Sequence, residues 1–194
     1  MRSLPFPEPQ LSDGVVALRP WRDGDASAKA AWARDAVLVR WTGVPENYTE
    51  EAARARAVTI EEERKAGRAV ALAIVDATSG VLWGSCDIRR PDARDDPALG
   101  EVGFLLSPDA RGRGIATRAV GLLVEWSFRE LGMERVQALV HPDNPRSAGV
   151  LERLGFQREG LLRRCRPGEA GREDRILFAV LPDELVSPPR LTTS

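Results

Sequence analysis

The sequence predicts a single α/β domain built on a sheet of mixed direction. Three observations carry this. The chain has 194 residues, enough for one domain with a real core and no need of metals or disulfides. Its composition, 43% hydrophobic and 29% charged, is ordinary for a soluble globular protein. Its periodicities follow the order β-α-α-β-β-β-α-β-α-β-β, with no internal repeat, and such alternation calls for helices layered on a sheet.

Each element has a local reason. Pro5, Pro7 and Pro9 remove backbone donors, so residues 1–12 are expected to form a loose leader. Asp13-Gly14 signals a turn into a first strand at 15–19. Asp23-Gly24-Asp25 can cap an alanine-rich helix over 26–35, and Thr49-Glu50-Glu51 opens a second helix that Gly67 stops. Trp32, Trp41 and Tyr48 lie near these helices and read as core or groove wall. The apolar runs 70–75 and 81–88 flank Asp76-Ala77-Thr78-Ser79-Gly80 and form a hairpin. A strand at 102–106 leads through a glycine-containing loop into a helix over 117–131, which Gly132 ends. A strand at 135–140, a short helix at 145–154 and two strands near 159–166 and 174–181 complete the domain, expected to span 13–182. Residues 183–194 are expected to be a flexible tail.

The bulk numbers exclude several function classes. A formal net charge of -1 gives no global reason to expect a nucleic-acid or membrane partner. Cys86 and Cys165 are too few for a disulfide scaffold, and with His141 as the single histidine no metal site is expected. No signal-peptide pattern opens the chain, and no apolar run approaches the roughly 20 residues that span a bilayer. A reducing cytoplasm is the expected compartment. Lysine occurs only at Lys29 and Lys65 among 28 cations, a compositional sign of a GC-rich genome.

The sharpest chemical signal is Arg111-Gly112-Arg113-Gly114-Ile115-Ala116, between a strand and a helix. A helix start leaves N–H groups without intrahelical partners and carries partial positive charge. Two glycines let the backbone close around a bulky anion, so a diphosphate suits this cradle. Taken alone, the loop also fits an ordinary surface turn. It lacks the Gly-Lys-Ser/Thr of a P-loop and the full spacing of a dinucleotide fingerprint.

With its neighbours, the loop resembles the GNAT superfamily of acyl-CoA N-acyltransferases. That family's loop is Gln/Arg-x-x-Gly-x-Gly/Ala, matched here by Arg111, Gly114 and Ala116. The closest likeness is to the RimJ/RimL branch, through Leu18-Arg19-Pro20-Trp21, Asp25-Ala26, Gly103-Phe104-Leu105-Leu106, Asn144-x-x-Ser147 and Arg153-Leu154-Gly155-Phe156. The resemblance covers about residues 15–181. It implies a mostly antiparallel, seven-stranded sheet with a V-shaped splay and about four helices. It also implies acetyl-CoA as co-substrate, and no metal.

The same resemblance assigns roles. Phe104, Leu105 and Leu106 on one strand, and residues 136–141 on the other, would wall the pantetheine arm. An amide near Leu105 or Leu106 would polarise the thioester carbonyl, where charge builds in the tetrahedral intermediate. Residues 111–117 (Arg111, Gly112, Arg113, Gly114, Ile115, Ala116, Thr117) would hold the pyrophosphate, with Asn144 on the pantetheine and Arg153 near the phosphates. Many members carry a tyrosine as acid toward the thiolate; here that position is Leu151, and Ser147 is the candidate in its place. Glu101 and His141 are candidate bases. Each has a plainer reading: Asn144 as turn residue, Ser147 as helix start, Glu101 as strand-end carboxylate, His141 as a structural group and Arg153 as a solvated helix arginine. Direct attack with proton loss through water needs no named base.

The acceptor would be an amine, of a small molecule or a protein N-terminus, recognised by the early helices (26–66) and the 167–173 hairpin. Dimers are common in the branch. The missing tyrosine leaves open a module that binds acyl-CoA without turnover.

Overall fold

The computed structural model describes residues 2–42, 44–45, 47–168 and 171–186. Its strands are β1 (Leu11–Ser12), β2 (Val16–Arg19), β3 (Ala69–Asp76), β4 (Leu82–Arg89), β5 (Leu99–Leu106), β6 (Arg135–Val140), β7 (Gln157–Gly168) and β8 (Gly171–Val180). Its α-helices are α1 (Ala26–Trp32), α2 (Ala36–Thr42), α3 (Glu50–Lys65), α4 (Ile115–Glu130) and α5 (Pro145–Arg153). The strands form one sheet in the order β1-β2-β3-β4-β5-β6-β8-β7. Every pairing is antiparallel except β5 with β6. The mixed, mostly antiparallel sheet is therefore as expected, with eight strands rather than seven.

The extra strand and an extra helix have simple causes. Prolines keep the chain out of a ladder only as far as Pro9; beyond it, Leu11 and Ser12 pair with Leu18 and Ala17. The helix expected over 26–35 stops at Trp32, and α2 begins at Ala36. Asp35 makes the break: its carboxylate accepts the Leu38 N–H at 2.7 Å, a side-chain cap that starts a new helix. Asp25, expected to cap α1, makes no such bond. Its carboxylate turns back to the Arg19 guanidinium instead. Thr49 does cap α3, accepting the Ala52 N–H at 3.1 Å.

The stretch expected as a loose leader packs along α3. Leu4 is buried, its N–H reaches the Arg64 carbonyl at 3.0 Å, and the Arg64 guanidinium lies 4.5 Å over the Phe6 ring. The apolar side chains between the prolines supply the area for this docking. At the other end, Val186 donates its N–H to Leu154 and Leu185 packs on the core. The rest of the expected tail, 187–194, lies outside the described residues.

The core forms mainly under α4, which presses Ile115, Ala119, Val120 and Leu123 against the sheet. Strand β3 sends Val70, Leu72 and Ile74 into this core. Its alternate residues Ala69, Ala71 and Ala73 are small and buried, and α3 packs against the strand. No described helix is long and apolar enough to cross a membrane.

The functional geometry begins where β5 and β6 part. They pair only at Leu99–Arg135, Gly100–Val136 and Glu101–Gln137. Beyond that point β5 stays bonded to β4 as far as Leu106, and β6 to β8 as far as Val140. The sheet thus splits into a V, each arm satisfied on its outer edge and open on its inner one.

Candidate active site

The loop after β5 turns through Pro108–Ala110, then passes Gly112 (φ 73°) and Gly114 (φ 74°) before α4 starts. Both glycines lie in the left-handed region that other residues adopt only at a cost. No atom stands within 4 Å of where a Cβ would be on either, so the space above the loop is open. Gly114 is the N-cap of α4 and offers no side-chain cap. Among the described residues, the amides of residues 112–117 have no protein acceptor; the first bond in the series is Arg118 N–H to Gly114. The first turn of this 16-residue helix thus leaves backbone N–H groups free at its positive end, beside open space.

From this loop a cleft of about 1180 Å³ runs into the V. Phe104, Leu105, Leu106, Arg111, Gly112, Gly114, Ile115, Ala116, Thr117, Asn144, Ser147 and Arg153 all line it. Arg113 stands outside that lining, its guanidinium 5.1 Å over the Trp83 ring. A second chamber of about 810 Å³ continues on the other side, walled by β4, β5, β6 and the β7–β8 hairpin. It contains Glu101 and His141. The two share Trp41, Thr42, Phe104, Leu105, Asn144 and Ser147. A group passing from one cavity to the other meets these six side chains.

Asn144 serves α5 as well as the cleft. Its Oδ1 accepts the Ser147 N–H at 3.2 Å, the N-cap bond of α5, while its NH2 group has no partner among the described residues. The plain turn reading and the ligand reading are therefore compatible. The Ser147 hydroxyl is likewise unengaged and sits at the junction. Leu151 is fully buried in the core, so no proton donor reaches the cleft from that position.

Both candidate bases have protein partners. Glu101 is buried, accepting from Arg166 Nη2 at 2.7 Å and from Gln137 Nε2 at 3.3 Å. His141 accepts the Asp143 N–H at Nδ1 (3.1 Å), so in the neutral ring the proton sits on Nε2, 4.0 Å from Glu173. The ring also rests 5.2 Å from Trp41.

Trp41, expected as core or groove wall, does line the cleft, but other site residues went unread in the sequence. Thr42 enters the junction beside Trp41 because α2 exists, and the one signal for α2 was Asp35 before Ala-Val-Leu-Val. Arg166 lies 65 positions from Glu101 in a hairpin whose register no local pattern sets. Among the described residues, no group of three or more His, Cys, Asp or Glu could hold a metal.

Comparison with known proteins agrees with this geometry. Residues 16–157 match the family model described as an acetyltransferase (GNAT) domain. "Uncharacterized N-acetyltransferase p20" of Bacillus licheniformis is 27% identical over 169 residues, covering 87% of this chain and 94% of that one. Mycobacterium smegmatis RimJ, solved in complex with CoA-disulfide, superposes with a TM-score of 0.76 at 27% identity, over 95% of this chain and 88% of that one. The ribosomal-protein-S5-alanine acetyltransferase of Vibrio fischeri gives a TM-score of 0.76 at 25% identity, over 90% and 97%. With an open glycine loop at the head of α4, a splayed β5–β6 pair and a family match across most of its length, the chain belongs to the GNAT acetyltransferases, in the company of RimJ/RimL-type enzymes.

Proposed function

We propose that the enzyme transfers the acetyl group of acetyl-CoA to a primary amine that arrives uncharged, an α-amine of a protein N-terminus or a small-molecule amine of similar pKa. The observation that carries this is the continuity of the two cavities through Ser147 and Asn144. The coenzyme's diphosphate would rest on the amides of residues 112–117, with Arg153 nearby, and its pantetheine would follow the free edge of β5 past Leu106 and Leu105. Bound acetyl-CoA supplies an activated thioester, and an amide of β5 near Leu105 would stabilise negative charge on the acyl oxygen, worth about 3 kcal/mol for one such donor. Asn144 would fix the arm, and the Ser147 hydroxyl would donate toward the departing sulfur. A thiol of pKa about 8.5 leaves with modest help, so a hydroxyl suffices where other members use a tyrosine. That a ribosomal-protein-S5-alanine acetyltransferase shares the fold at 25% identity favours a protein as acceptor.

The chamber explains the demand for a neutral amine. Its three carboxylates, Asp87, Glu101 and Glu173, each pair with an arginine: Arg89, Arg166 and Arg175. An incoming ammonium would thus meet carboxylates that already have guanidinium partners. At fixed enzyme stability, kcat/KM should therefore rise with pH up to the acceptor's own pKa. The midpoint should move from about 8 for an α-amine toward about 10.4 for a lysine-like amine. A midpoint that stays fixed across acceptors would point to an enzyme base and overturn this step.

The activity test is acetyl-CoA-dependent release of free thiol across a panel of N-terminal peptides and small amines; no turnover with any of them sinks the reading. Ser147→Ala is expected to lower kcat about a hundredfold, the lower end of what a positioned proton donor supplies. The acetyl-CoA KM should barely change, because the bond that Ser147 gives Asn144 comes from its backbone. A kcat within threefold of the parent enzyme would remove Ser147 from the chemistry.

A further inference from the structure

The loop that would hold the coenzyme and the helix that walls the acceptor chamber are tied by one side-chain pair. Arg111 donates from Nη2 to Asp35 Oδ1 at 2.8 Å and from Nη1 to Asp35 Oδ2 at 3.2 Å. Nη2 also reaches the Leu106 carbonyl, at the end of β5, at 3.2 Å. Both side chains are partly buried, with exposures of 25% and 20%. Three bonds fill one edge of the guanidinium, so Arg111 would offer a diphosphate its backbone while its side chain points into the fold.

Asp35 holds a second structure in place. It caps α2 through the Leu38 N–H, and its carbonyl accepts the Val39 N–H at 3.0 Å. A helix of seven residues has little stability of its own, so its position depends on such end contacts. From that anchor α2 sends Leu38 into the coenzyme cleft and Arg40 into the acceptor chamber, while Trp41 and Thr42 reach both. Arg111 holds the Asp35 carboxyl below the usual carboxylate range. The pair is therefore charged at neutral pH.

We infer that Asp35 is a positioning residue through which coenzyme binding sets the acceptor wall: an anion on the 112–117 amides fixes the loop, and Arg111 passes that order through Asp35 to α2 and Trp41. The inference rests on the reading that the loop binds acetyl-CoA. Coupling of this kind is reciprocal, so bound acceptor tightens the coenzyme by the same factor. Asp35 touches neither substrate in this scheme.

Asp35→Asn separates its two roles. Asparagine caps a helix as well as aspartate does, so α2 keeps its start, but the ion pair with Arg111 is lost. Arg111→Lys keeps the charge and loses the planar fork, and should act in the same direction. Amide hydrogen exchange followed by mass spectrometry, with and without coenzyme A, reads the coupling without any acceptor. In the parent protein, coenzyme A is expected to slow exchange both at residues 112–118 and across α2. In Asp35→Asn the loop should remain protected, while the coenzyme-dependent protection of α2 falls about three- to tenfold, as expected for a partly buried ion pair. With an acceptor in hand, its KM should rise by a similar factor while the coenzyme Kd holds.

Three outcomes count against the inference. In one, coenzyme A protects α2 equally in the variants and the parent. In another, loop and α2 lose protection together at equal coenzyme occupancy, which marks general loosening. In the third, the acceptor KM stays within twofold. If coenzyme A protects the parent's loop but no amine is turned over, the acetyl-transfer reading fails while the exchange arm still decides the role of Asp35. If coenzyme A protects nothing in the parent, both fall.

Discussion

Gly114→Val is expected to weaken coenzyme A binding by at least about a hundredfold while the protein still folds. Gly114 stands at φ 74°, and a β-branched residue there costs about 1–3 kcal/mol of backbone strain. No protein atom lies within 4 Å of the new Cβ, so nothing in the fold collides with it. The chain can relieve the strain only by rotating the peptides on either side of residue 114. Those peptides carry the N–H groups that open α4, and a charge-assisted bond from each is worth about 1.5–3 kcal/mol. Losing one or two of them gives the expected factor. The side chain would also occupy the space the diphosphate needs. Gly132→Val is the control. Gly132, at φ 65°, also has open space around it, but it sits beyond the other end of α4 and lines neither cavity. It should lose similar stability and keep its affinity for coenzyme A. Calorimetric titration of both variants checks the pair; equal affinities would mean the diphosphate does not sit on this loop.

What the sequence disclosed follows the range of the forces involved. Gly112 and Gly114 before an apolar helix are local signals, and the structure gives both the positive φ values that only glycine takes without strain. Strand β6 is bounded by a glycine turn and Pro142, so its limits, 135–140, could be read directly. Helix α2 could not. The sequence reads as a helix over 26–35, with no glycine or proline after it to announce a second one, and only the Asp35 carboxylate, free to cap or to face solvent, starts α2. Eight strands emerged rather than seven because a two-residue strand leaves no periodicity to detect. At the site, the residue types of Glu101 and His141 were legible as proton-transfer groups, but their engagement was not. Arg166 reaches Glu101 across 65 residues, and the Asp143 amide claims His141 Nδ1 through a turn geometry that composition does not encode. Local chemistry names the candidates, and tertiary partners decide which remain available.

The phrase Leu18-Arg19-Pro20-Trp21 with Asp25-Ala26 also has a physical content, and it sets the largest stability effect expected here. Arg19 and Asp25 are both buried, their side chains 9% exposed each, and they meet as a two-bond fork at 2.7 and 2.8 Å. Asp25 additionally accepts the Arg22 N–H at 2.8 Å. Arg19→Met removes one charge and strands the other, which in buried pairs costs about 3–5 kcal/mol. Against a typical unfolding free energy of about 5–15 kcal/mol, that is enough to lower the melting temperature by many degrees. The pH dependence carries the signature. Burial pushes the Asp25 carboxyl up, but the Arg19 guanidinium and the Arg22 N–H outweigh it and hold the group below the usual carboxylate value. A depressed folded-state pKa contributes stability above the unfolded value, near pH 4, and loses it as pH falls through the folded one. In Arg19→Met burial is opposed by less, so the carboxyl takes up its proton at higher pH than in the parent. The stability gap between parent and variant should therefore be widest at neutral pH and shrink as pH drops below about 4. Adding Asp25→Leu to Arg19→Met removes the stranded charge and should recover a good part of the loss. Urea denaturation of the three proteins at pH 7 and pH 3.5 measures all of this. A cost under about 1 kcal/mol at pH 7, or a gap that does not narrow in acid, would mean this pair is not what joins β2 to α1.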